Sequence, residues 1–498
     1  MMNNPVIALL LLIPLLGGIA ALLIRRDNPR RALLVSVAGI HFLFSFTAEG
    51  APSLHEGWFA LDPLGRLFLC ITSTLFLIVS IYSLGYLARE RSLEKEVRTD
   101  FESHSMFANG PESLLTACLL FFLTAMTLVC VSNHLGLLWV AIEATTLASA
   151  PMIYFHRRQQ SLEAAWKYLL ICSIGIALAL FGNFLLAVST ATLSGGEVEL
   201  LLGDLLDQAP LLQPTWLKAA FIFLLVGYGT KMGLAPLHTW LPDAHSESPS
   251  FVSALLSGAL LNCAFLGILR AMQILNAANL AAFGQELLIL FGLLSMGLAA
   301  TFILHQRNFK RMLAYSSVEH MGILALGVGL GGAGIFGSMF HAVNHSLTKA
   351  MLFLAAGNIL AKLKSKSTLD ITGLSKSMPV TAALWLCGFL AITGSPPFGS
   401  FLSEFTILKA AIDQEHFVIA VAYLLILSIV FIVMGTIVLH MYQGSPLVEP
   451  DLPRERELWI SVIPPAVLGS LALILGVYIP PFLQRMLAEA SQQLGGAL

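Results

Sequence analysis

The sequence predicts an all-α integral membrane protein of about 14 transmembrane helices, with two inverted five-helix repeats and two broken helices. Three observations predict this fold. The 498 residues are 57% hydrophobic and only 11% charged, long apolar runs recur from end to end, and basic and nearly neutral loops alternate. A soluble chain carries about 25% charged residues, so this chain has too few charges to cover a soluble surface. We therefore expect the chain to lie in the lipid bilayer. The net charge of −2 gives no indication of a nucleic-acid partner.

Runs of about 20 apolar residues, the length that crosses a bilayer as a helix, define the spans. The first run lacks the basic start of a signal peptide, so it is predicted to be a spanning helix. The predicted spans are 5–24, 32–48, 67–87, 113–131, 135–155, 163–189, 217–241, 250–275, 281–304, 312–330, 335–361, 380–413, 417–442 and 456–478. The predicted domains are 1–112 with three helices, 113–275 as the first repeat and half-channel, 281–442 as the inverted second repeat and half-channel, and 443–498 with the last helix and tail.

The loops predict the orientation. Nineteen of the 27 Lys and Arg residues fall in or at the edges of alternate loops, and four fall at the opposite end. Basic loops face the cytoplasm. Both termini are therefore predicted to be periplasmic, with the chain in the inner (plasma) membrane. The basic set of loops is 25–31, 88–112, 156–162, 242–249, 305–311, 362–379 and 443–455.

Spans four to eight and nine to thirteen match as repeats of five helices. Because five is odd, the second unit enters the membrane from the opposite side, which makes the repeats inverted. Glu143 and Glu319 lie in the second helix of each unit, and Lys231 and Glu404 lie in the fourth. The match is imperfect, because the helix breakers follow Lys231 but precede Glu404.

Both fourth helices contain residues that interrupt a helix. Pro236 follows Lys231, and the pair Pro396 and Pro397 precedes Glu404. Non-helical backbone at membrane depth is tolerated where it is buried in protein or lines a cavity. Paired interrupted spans in corresponding halves indicate a transport site.

Ionisable side chains inside the spans are the candidates for proton translocation. A charge at the bilayer centre costs about 3 kcal/mol, so such groups are seldom there without a function. His341, His345 and Lys349 are spaced i, i+4, i+8 on one helix face, and imidazole titrates near neutral pH. The candidate set is Glu143, Lys167, Lys231, His238, Glu319, His320, His341, His345, Lys349 and Glu404.

A purely structural role is open for several candidates. Glu319 and His320 are adjacent and point in different directions, so one of them could be only structural. His238 and His245 flank the broken helix end, where a structural role is equally open. Four further structural roles are a buried Glu143–Lys231 ion pair, a Lys167–Glu163 pair at the cytoplasmic edge, a helix cap by Glu404 and a core His341 bonded to a backbone carbonyl.

Six cysteines lie in apolar runs, and none forms a CxxC pair. They are predicted to be small buried hydrophobic residues. No metal-ligand pattern and no Walker A loop is present in the sequence. We therefore expect no cofactor bound by this chain and no catalysis by it alone.

Four stretches resemble signature blocks of the antiporter-like subunits of respiratory complex I, which are related to multi-subunit sodium/proton antiporters and membrane-bound nickel–iron hydrogenases. The resemblance covers about residues 60–440, and the form SSVEHMG is most similar to the hydrogenase-4 component F branch. The four stretches are GTKMGLAPLHTWLPDAHSESPSFVSALLSG, NFKRMLAYSSVEHMGI, NHSLTKAMLFLAAGN and TGSPPFGSFLSEF.

The resemblance implies particular residue roles. Lys167 is similar to a basic residue of the sixth helix that pairs with the glutamate of the fifth. Asn262 departs from the family pattern, because many relatives have a lysine there. Asparagine can hold a water but cannot carry a proton, so either water bridges the halves or the route differs. The remaining roles are Glu143 as the key glutamate of the fifth helix, Lys231 as the lysine of the broken seventh, Lys349 with His345 as the connecting group of the eleventh and Glu404 as the terminal residue of the broken twelfth.

The resemblance also implies a function and partners. The chain would be a proton-translocating subunit of a redox-driven complex of the hydrogenase, formate hydrogenlyase or complex I type. Other membrane and peripheral subunits would carry iron–sulfur clusters, together with a nickel–iron or flavin group. Two different functions remain open at this point: a sodium/proton antiporter subunit without redox coupling, and a non-conducting scaffold, which Asn262 favours.

Overall fold

The computed structural model describes residues 5–48, 57–99, 109–191, 199–445 and 457–496. For residues 91–99 it describes the backbone only. The predicted loop 443–455 lies mostly outside these residues, as does part of the loop 88–112. In the described ranges the chain is helical, which confirms the all-α class. A 3₁₀ turn, Ala209–Leu211, follows α7, and a π-helical stretch, Leu256–Leu260, joins α10 to α11. The helices are α1 Pro5–Leu23, α2 Asp27–Thr47, α3 Pro63–Thr99, α4 Glu112–Val131, α5 Leu135–Ile153, α6 Gln159–Ser189, α7 Leu202–Gln208, α8 Pro214–Met232, α9 Trp240–Glu247, α10 Ser250–Leu255, α11 Leu261–Ala277, α12 Ala281–Ile303, α13 Phe309–Leu330, α14 Ala333–Leu363, α15 Leu374–Ser377, α16 Pro379–Ile392, α17 Gly399–Asp413, α18 Phe417–Tyr442, α19 Trp459–Val477 and α20 Pro481–Gln492.

In the described part of the chain, 11 segments are long and apolar enough to cross a membrane. Every predicted span coincides with a helix or a broken pair of helices, but three of them fall outside this set. The span 32–48 is the less apolar α2, while 217–241 and 380–413 are each divided in two by a break. The chain is thus a multi-pass membrane protein, and the count of 14 stays a prediction.

The helices sort into a central and an outer group. In the most apolar stretch of α10–α11 and of α13, 100% of the residues are buried, whereas the share is 22% in α18 and 33% in α19. The outer helices present large apolar side chains outward, such as Val418 and Val421 on α18. An apolar outer face suits lipid, which leaves the central helices to hold the polar groups.

Both predicted breaks are present. Helix α8 ends at Gly233, whose φ of +88° belongs to the left-handed region and closes the helix with bonds to the Gly229 and Thr230 carbonyls. The non-helical residues 233–239 contain Pro236, and the Trp240 indole at the start of α9 donates to the Thr230 carbonyl at 2.9 Å. Residues 393–398 likewise separate α16 from α17.

The C-terminal helix α20 is missing from the sequence prediction, which has only a short tail after the last span. Its apolar residues Leu483, Met486, Leu487 and Ala490 follow the i, i+3, i+4, i+7 pattern and are buried. The helix is too short to span a bilayer, so a search for long apolar runs passes over it. It lies against α3 and α14.

Candidate functional site

Lys231 and Glu143 are connected through a hydroxyl. The Lys231 ammonium is fully buried at the end of α8 and donates to Thr146 Oγ1 at 2.5 Å and to Tyr168 Oη at 2.8 Å. Thr146 in turn donates to Glu143 Oε2 at 3.1 Å. The two charges therefore do not touch, which excludes the alternative of a buried Glu143–Lys231 ion pair. An ammonium, a hydroxyl and a carboxylate in this order can pass a proton between the two charged groups.

Glu143 itself is only half-buried, and its other oxygen accepts from the exposed Ser173 hydroxyl at 3.2 Å. Lys167 does not approach it. The Lys167 ammonium lies 2.6 Å from Glu163 Oε1 and 3.2 Å from Asp243 Oδ2, with its side chain 46% exposed. This confirms the Lys167–Glu163 pair and differs from the pairing that the family resemblance implies.

The second half of the molecule has a similar buried lysine. The Lys349 ammonium on α14 donates to the Leu313 carbonyl and to Ser316 Oγ, both at 2.8 Å. Glu319, on the next turn of α13, interacts electrostatically with Lys349, and its Oε2 has no hydrogen-bond partner. Lysine, hydroxyl and glutamate thus occur together in both halves.

His320 and His341 form a hydrogen-bonded pair beyond Glu319. His320 Nδ1 lies 2.8 Å from His341 Nε2, and the rings stack with centroids 5.0 Å apart. His341 Nδ1 lies 2.9 Å from Ser403 Oγ, whose only proton goes to the Ser400 carbonyl. In its neutral form, His341 therefore carries its proton on Nδ1 and accepts from His320 at Nε2. Both ring nitrogens have side-chain partners, which excludes the alternative of a core His341 bonded to a backbone carbonyl.

His345 lies next to this pair. Its ring centroid is 5.3 Å from that of His320, and neither of its nitrogens has a hydrogen-bond partner. Glu319 and His320 are both buried, because α13 is enclosed on all sides, and both interact electrostatically with Lys349. Neighbouring residues can contact one polar cluster when helices surround them completely.

Glu404 lies on α17, directly after the second break. It is the sixth residue of α17, beyond the first turn, and the helix begins without a side-chain cap, which excludes the alternative of a cap by Glu404. Its Oε1 has no hydrogen-bond partner. Its Oε2 packs on Gly394, where a Cβ would lie 1.9 Å from it. The glycine in the break thus makes room for the carboxylate.

Asn262 lies between the two halves, directly after the π-helical stretch. Its amide donates to the Gly258 carbonyl at 2.9 Å and to Ser346 Oγ at 2.8 Å. Its Oδ1 is buried without a partner. Ser346 is one turn before Lys349 on α14, so Asn262 provides a polar link at the position where the family pattern has a lysine. We call the following set of polar residues the polar line; it comprises Glu143, Thr146, Lys231, Asn262, Ser346, Lys349, Glu319, His345, His320, His341 and Glu404.

A polar cavity of about 840 Å³ opens at the end of the bundle that carries the basic loops. Lys167 and Asp243 line it, and Lys310 lies at its buried side, where the ammonium donates to the Ser248 carbonyl at 2.7 Å. His156 follows α5 in the chain and lines this cavity. Burial lowers the pKa of His156 to about 3, and nearby cations add to the effect. His156 is therefore neutral at neutral pH and is a poor proton carrier.

His245 lies between this cavity and the polar line. Its ring stacks on Phe353 at 5.1 Å, and neither nitrogen has a hydrogen-bond partner. It interacts electrostatically with Lys310 on one side and with Lys349 and His345 on the other. His245 thus has the position of a connection from the cavity to the second half.

His238 lies apart from these groups. Its ring is 6.2 Å from Phe302 on α12 and 6.3 Å from Tyr315 on α13. Thr146, Ser346 and Lys310 belong to the site but were not predicted. Thr146 had a usable signal, because it lies three residues after Glu143 on the same helix face. Lys310 belongs to a loop of several cations, and nothing in the sequence indicates that it alone is buried.

Known proteins share this architecture. Residues 132–437 match the family described as NADH:quinone oxidoreductase/Mrp antiporter, TM. A hydrogenase-4 component F homolog of Methylacidiphilum infernorum (isolate V4) is 38% identical over 459 residues, which cover 91% of both chains. Chains of an archaeal membrane-bound sulfane sulfur reductase and of the Mrp complex from Dietzia sp. DQ12-45-1b both have TM-scores of 0.84, at 22% and 18% identity, covering 99% of this chain and 98% and 97% of theirs. The chain therefore belongs to the NADH:quinone oxidoreductase/Mrp antiporter transmembrane family, as an antiporter-like membrane subunit.

Proposed function

We propose that this chain moves protons across the membrane along the polar line, as one subunit of a redox-driven complex. One observation carries the proposal: in both halves a fully buried lysine is hydrogen-bonded to a hydroxyl with a glutamate close by, at 3.1 Å from the hydroxyl in the first half. Charges kept this deep in a membrane protein mark ion pathways. A change in the charge of one group alters the proton affinity of the next, which couples the sites.

The second half favours protons over sodium ions. His320, His341, His345 and Lys349 offer nitrogen atoms, whereas hard cations such as sodium select oxygen ligands. The hydrogen-bonded order His320, His341, Ser403 can pass a proton by exchange of ring protons. The energy needed is modest, since moving one charge against 100 mV takes about 2.3 kcal/mol.

The cavity at the basic end supports a route for proton uptake. Lys310 lies at its inner side, and His245 lies between Lys310 and Lys349. The unpaired nitrogens of His245 and His345 need partners in a buried site, and ordered water can supply them. Water at the Asn262 Oδ1 would likewise bridge the two halves.

The setting of the subunit is part of the proposal. The excess of Lys and Arg in alternate loops places the basic end in the cytoplasm and both termini in the periplasm, with the chain in the plasma membrane. The similarity to a hydrogenase-4 component F homolog supports a hydrogenase- or formate hydrogenlyase-type assembly. Its partner subunits would carry the iron–sulfur clusters and the nickel–iron or flavin group.

Proton uptake by proteoliposomes tests the proposal. We expect Lys231→Met and Lys349→Met each to abolish potential-driven uptake, because each removes a buried proton carrier. Lys409→Met is the matched control, since Lys409 also lies in a predicted span but is 67% exposed and off the polar line. Equal uptake in all three variants and the wild type would leave only a scaffold. Uptake that requires sodium would favour the sodium/proton antiporter.

The redox coupling needs a separate measurement. We expect the chain to co-purify with subunits that contain iron and either nickel or flavin, detectable by elemental analysis and absorption. A purified complex without any of these groups would contradict the coupling and leave proton conduction to be judged by the liposome experiment alone.

A further inference from the structure

Three metal-binding side chains from three helices converge at the second break. One nitrogen each of His320 on α13 and His341 on α14, and one oxygen of Glu404 on α17, lie within 4.8 Å of one another. The three side chains are 1%, 0% and 6% exposed, and Glu404 Oε1 has no hydrogen-bond partner. We propose that His320, His341 and Glu404 form a binding site for Zn²⁺ that blocks the second half of the polar line.

The donor set suits zinc. Two imidazole nitrogens and one carboxylate oxygen, with water in a fourth position, is a common tetrahedral arrangement. Ligand atoms around such an ion lie about 3.4 Å apart, as follows from bonds of 2.0–2.1 Å. His320 Nδ1 and His341 Nε2 are now 2.8 Å apart, and a Glu404 oxygen lies within 4.8 Å of a nitrogen of each ring. The carboxylate must therefore move by at most about 1.4 Å, which a rotation of its side chain permits.

The surrounding groups orient the two imidazoles for a metal. His341 donates from Nδ1 to Ser403, which leaves the Nε2 lone pair available to a ligand. For His320, binding at Nδ1 moves the ring proton to Nε2. The Ile392 carbonyl faces this ring without reaching hydrogen-bond geometry, and it can accept that proton. A metal-bound histidine commonly donates its other N–H in this way.

Charge balance also favours a dication. Glu319 interacts electrostatically with Glu404, so two carboxylates lie around the site. A buried charge is tolerated when it is compensated nearby, and the two carboxylates compensate one Zn²⁺ when Lys349, which also interacts with Glu319, is neutral.

The block follows from the same geometry. An ion at Nδ1 of His320 and Nε2 of His341 takes the two atoms that share the hydrogen bond, so a proton can no longer pass between the rings. This consequence rests on the proposed function, whereas the binding itself does not.

Titration of the purified full-length chain with Co²⁺, a visible-light probe for zinc sites, tests the binding. We expect one Co²⁺ per chain, displaced by Zn²⁺. His341→Ala and the isosteric Glu404→Gln should each weaken binding by about tenfold or more. His41→Ala is the matched control, because His41 is also buried but lies between Ser73 and Thr127, away from the site.

Two outcomes overturn the site: no saturable binding by the wild type, or equal affinity in the wild type and both site variants. Because absorption is measured without transport, this result stands apart from proton uptake. In proteoliposomes, Zn²⁺ should also lower wild-type uptake. Binding without inhibition would keep the site, overturn the block and argue against proton passage between His320 and His341.

Discussion

Replacing Thr146 by valine separates the two charges of the first half without removing either. Valine has nearly the shape of threonine but lacks the hydroxyl, so the contacts of 2.5 Å to Lys231 and 3.1 Å to Glu143 both disappear. Lys231 keeps Tyr168 at 2.8 Å as its remaining acceptor. The change therefore tests the connection itself rather than the presence of its ends.

The expected effect is large for transport and moderate for stability. Loss of a positioned group in a proton transfer costs about 10²-fold or more in rate, which corresponds to about 2.7 kcal/mol in the barrier. Removing one partner of a buried hydrogen bond costs about 1–3 kcal/mol in the free energy of unfolding. The protein should therefore assemble normally while conducting protons about a hundred times more slowly.

Proton uptake into proteoliposomes, followed with a pH-sensitive dye, measures the effect. Thr145→Val is the matched control, because Thr145 is the neighbouring buried threonine and its hydroxyl donates to the Ile142 carbonyl of its own helix. If both variants conduct protons as fast as the wild type, Thr146 does not relay protons and the first half of the polar line is misassigned.

Variants at three other positions test the junction, the second break and the start of α5. Asn262→Leu removes the amide that reaches Ser346 and should slow proton uptake about tenfold; unchanged uptake would exclude a route through this junction. Gly394 has a φ of +63°, and a Cβ there would lie 1.9 Å from Glu404 Oε2, so Gly394→Ala should lower the free energy of unfolding by about 1–2 kcal/mol. Gly297 has open space around it, so the control Gly297→Ala should raise the free energy of unfolding by about 0.5–1 kcal/mol. A Gly394→Ala variant as stable as the wild type would refute the close approach. His134 accepts from two backbone N–H groups as the cap of α5, so His134→Ala should cost about 1 kcal/mol. Burial lowers the pKa of His134 below 6.5, although Glu199 opposes the shift. The unfolded chain therefore binds more protons, and stability falls as the pH decreases from 6.5 towards the folded-state pKa. His134→Asn should cap the helix without this pH dependence of thermal unfolding, and an equal pH dependence in that variant would contradict the assignment.

Spacing along one helix predicted contacts within that helix well. The i, i+4 relation of Glu163 and Lys167 corresponds to an ion pair of 2.6 Å. Contacts between helices were less accessible, because they depend on how each helix is rotated about its axis. Asp243 completes the Lys167 pair from α9, and no pattern in the sequence relates the two.

The same limit applies to the histidines. The spacing of His341, His345 and Lys349 placed them on one face of α14, and all three are buried. The partner of His341 is His320 on α13, and their hydrogen bond fixes which ring nitrogen carries the proton. A sequence gives the residues on a face, whereas their protonation and partners follow from packing against neighbouring helices.

The π-helical stretch Leu256–Leu260 determines the exact length of its span. A π-helical turn accommodates one additional residue, so deletion of a single residue here would restore a regular α-helix. Because the π-helical turn absorbs the additional residue, the residues beyond it would keep nearly the same facing after that deletion, whereas a deletion in a regular α-helical turn rotates everything beyond it by about 100°. Asn262 would stay near Ser346, and Arg270 would stay near Asp62, to which its guanidinium binds at 2.5 and 2.6 Å. A single-residue deletion in this stretch should therefore be accepted during evolution more readily than one in the α-helical turns on either side of it.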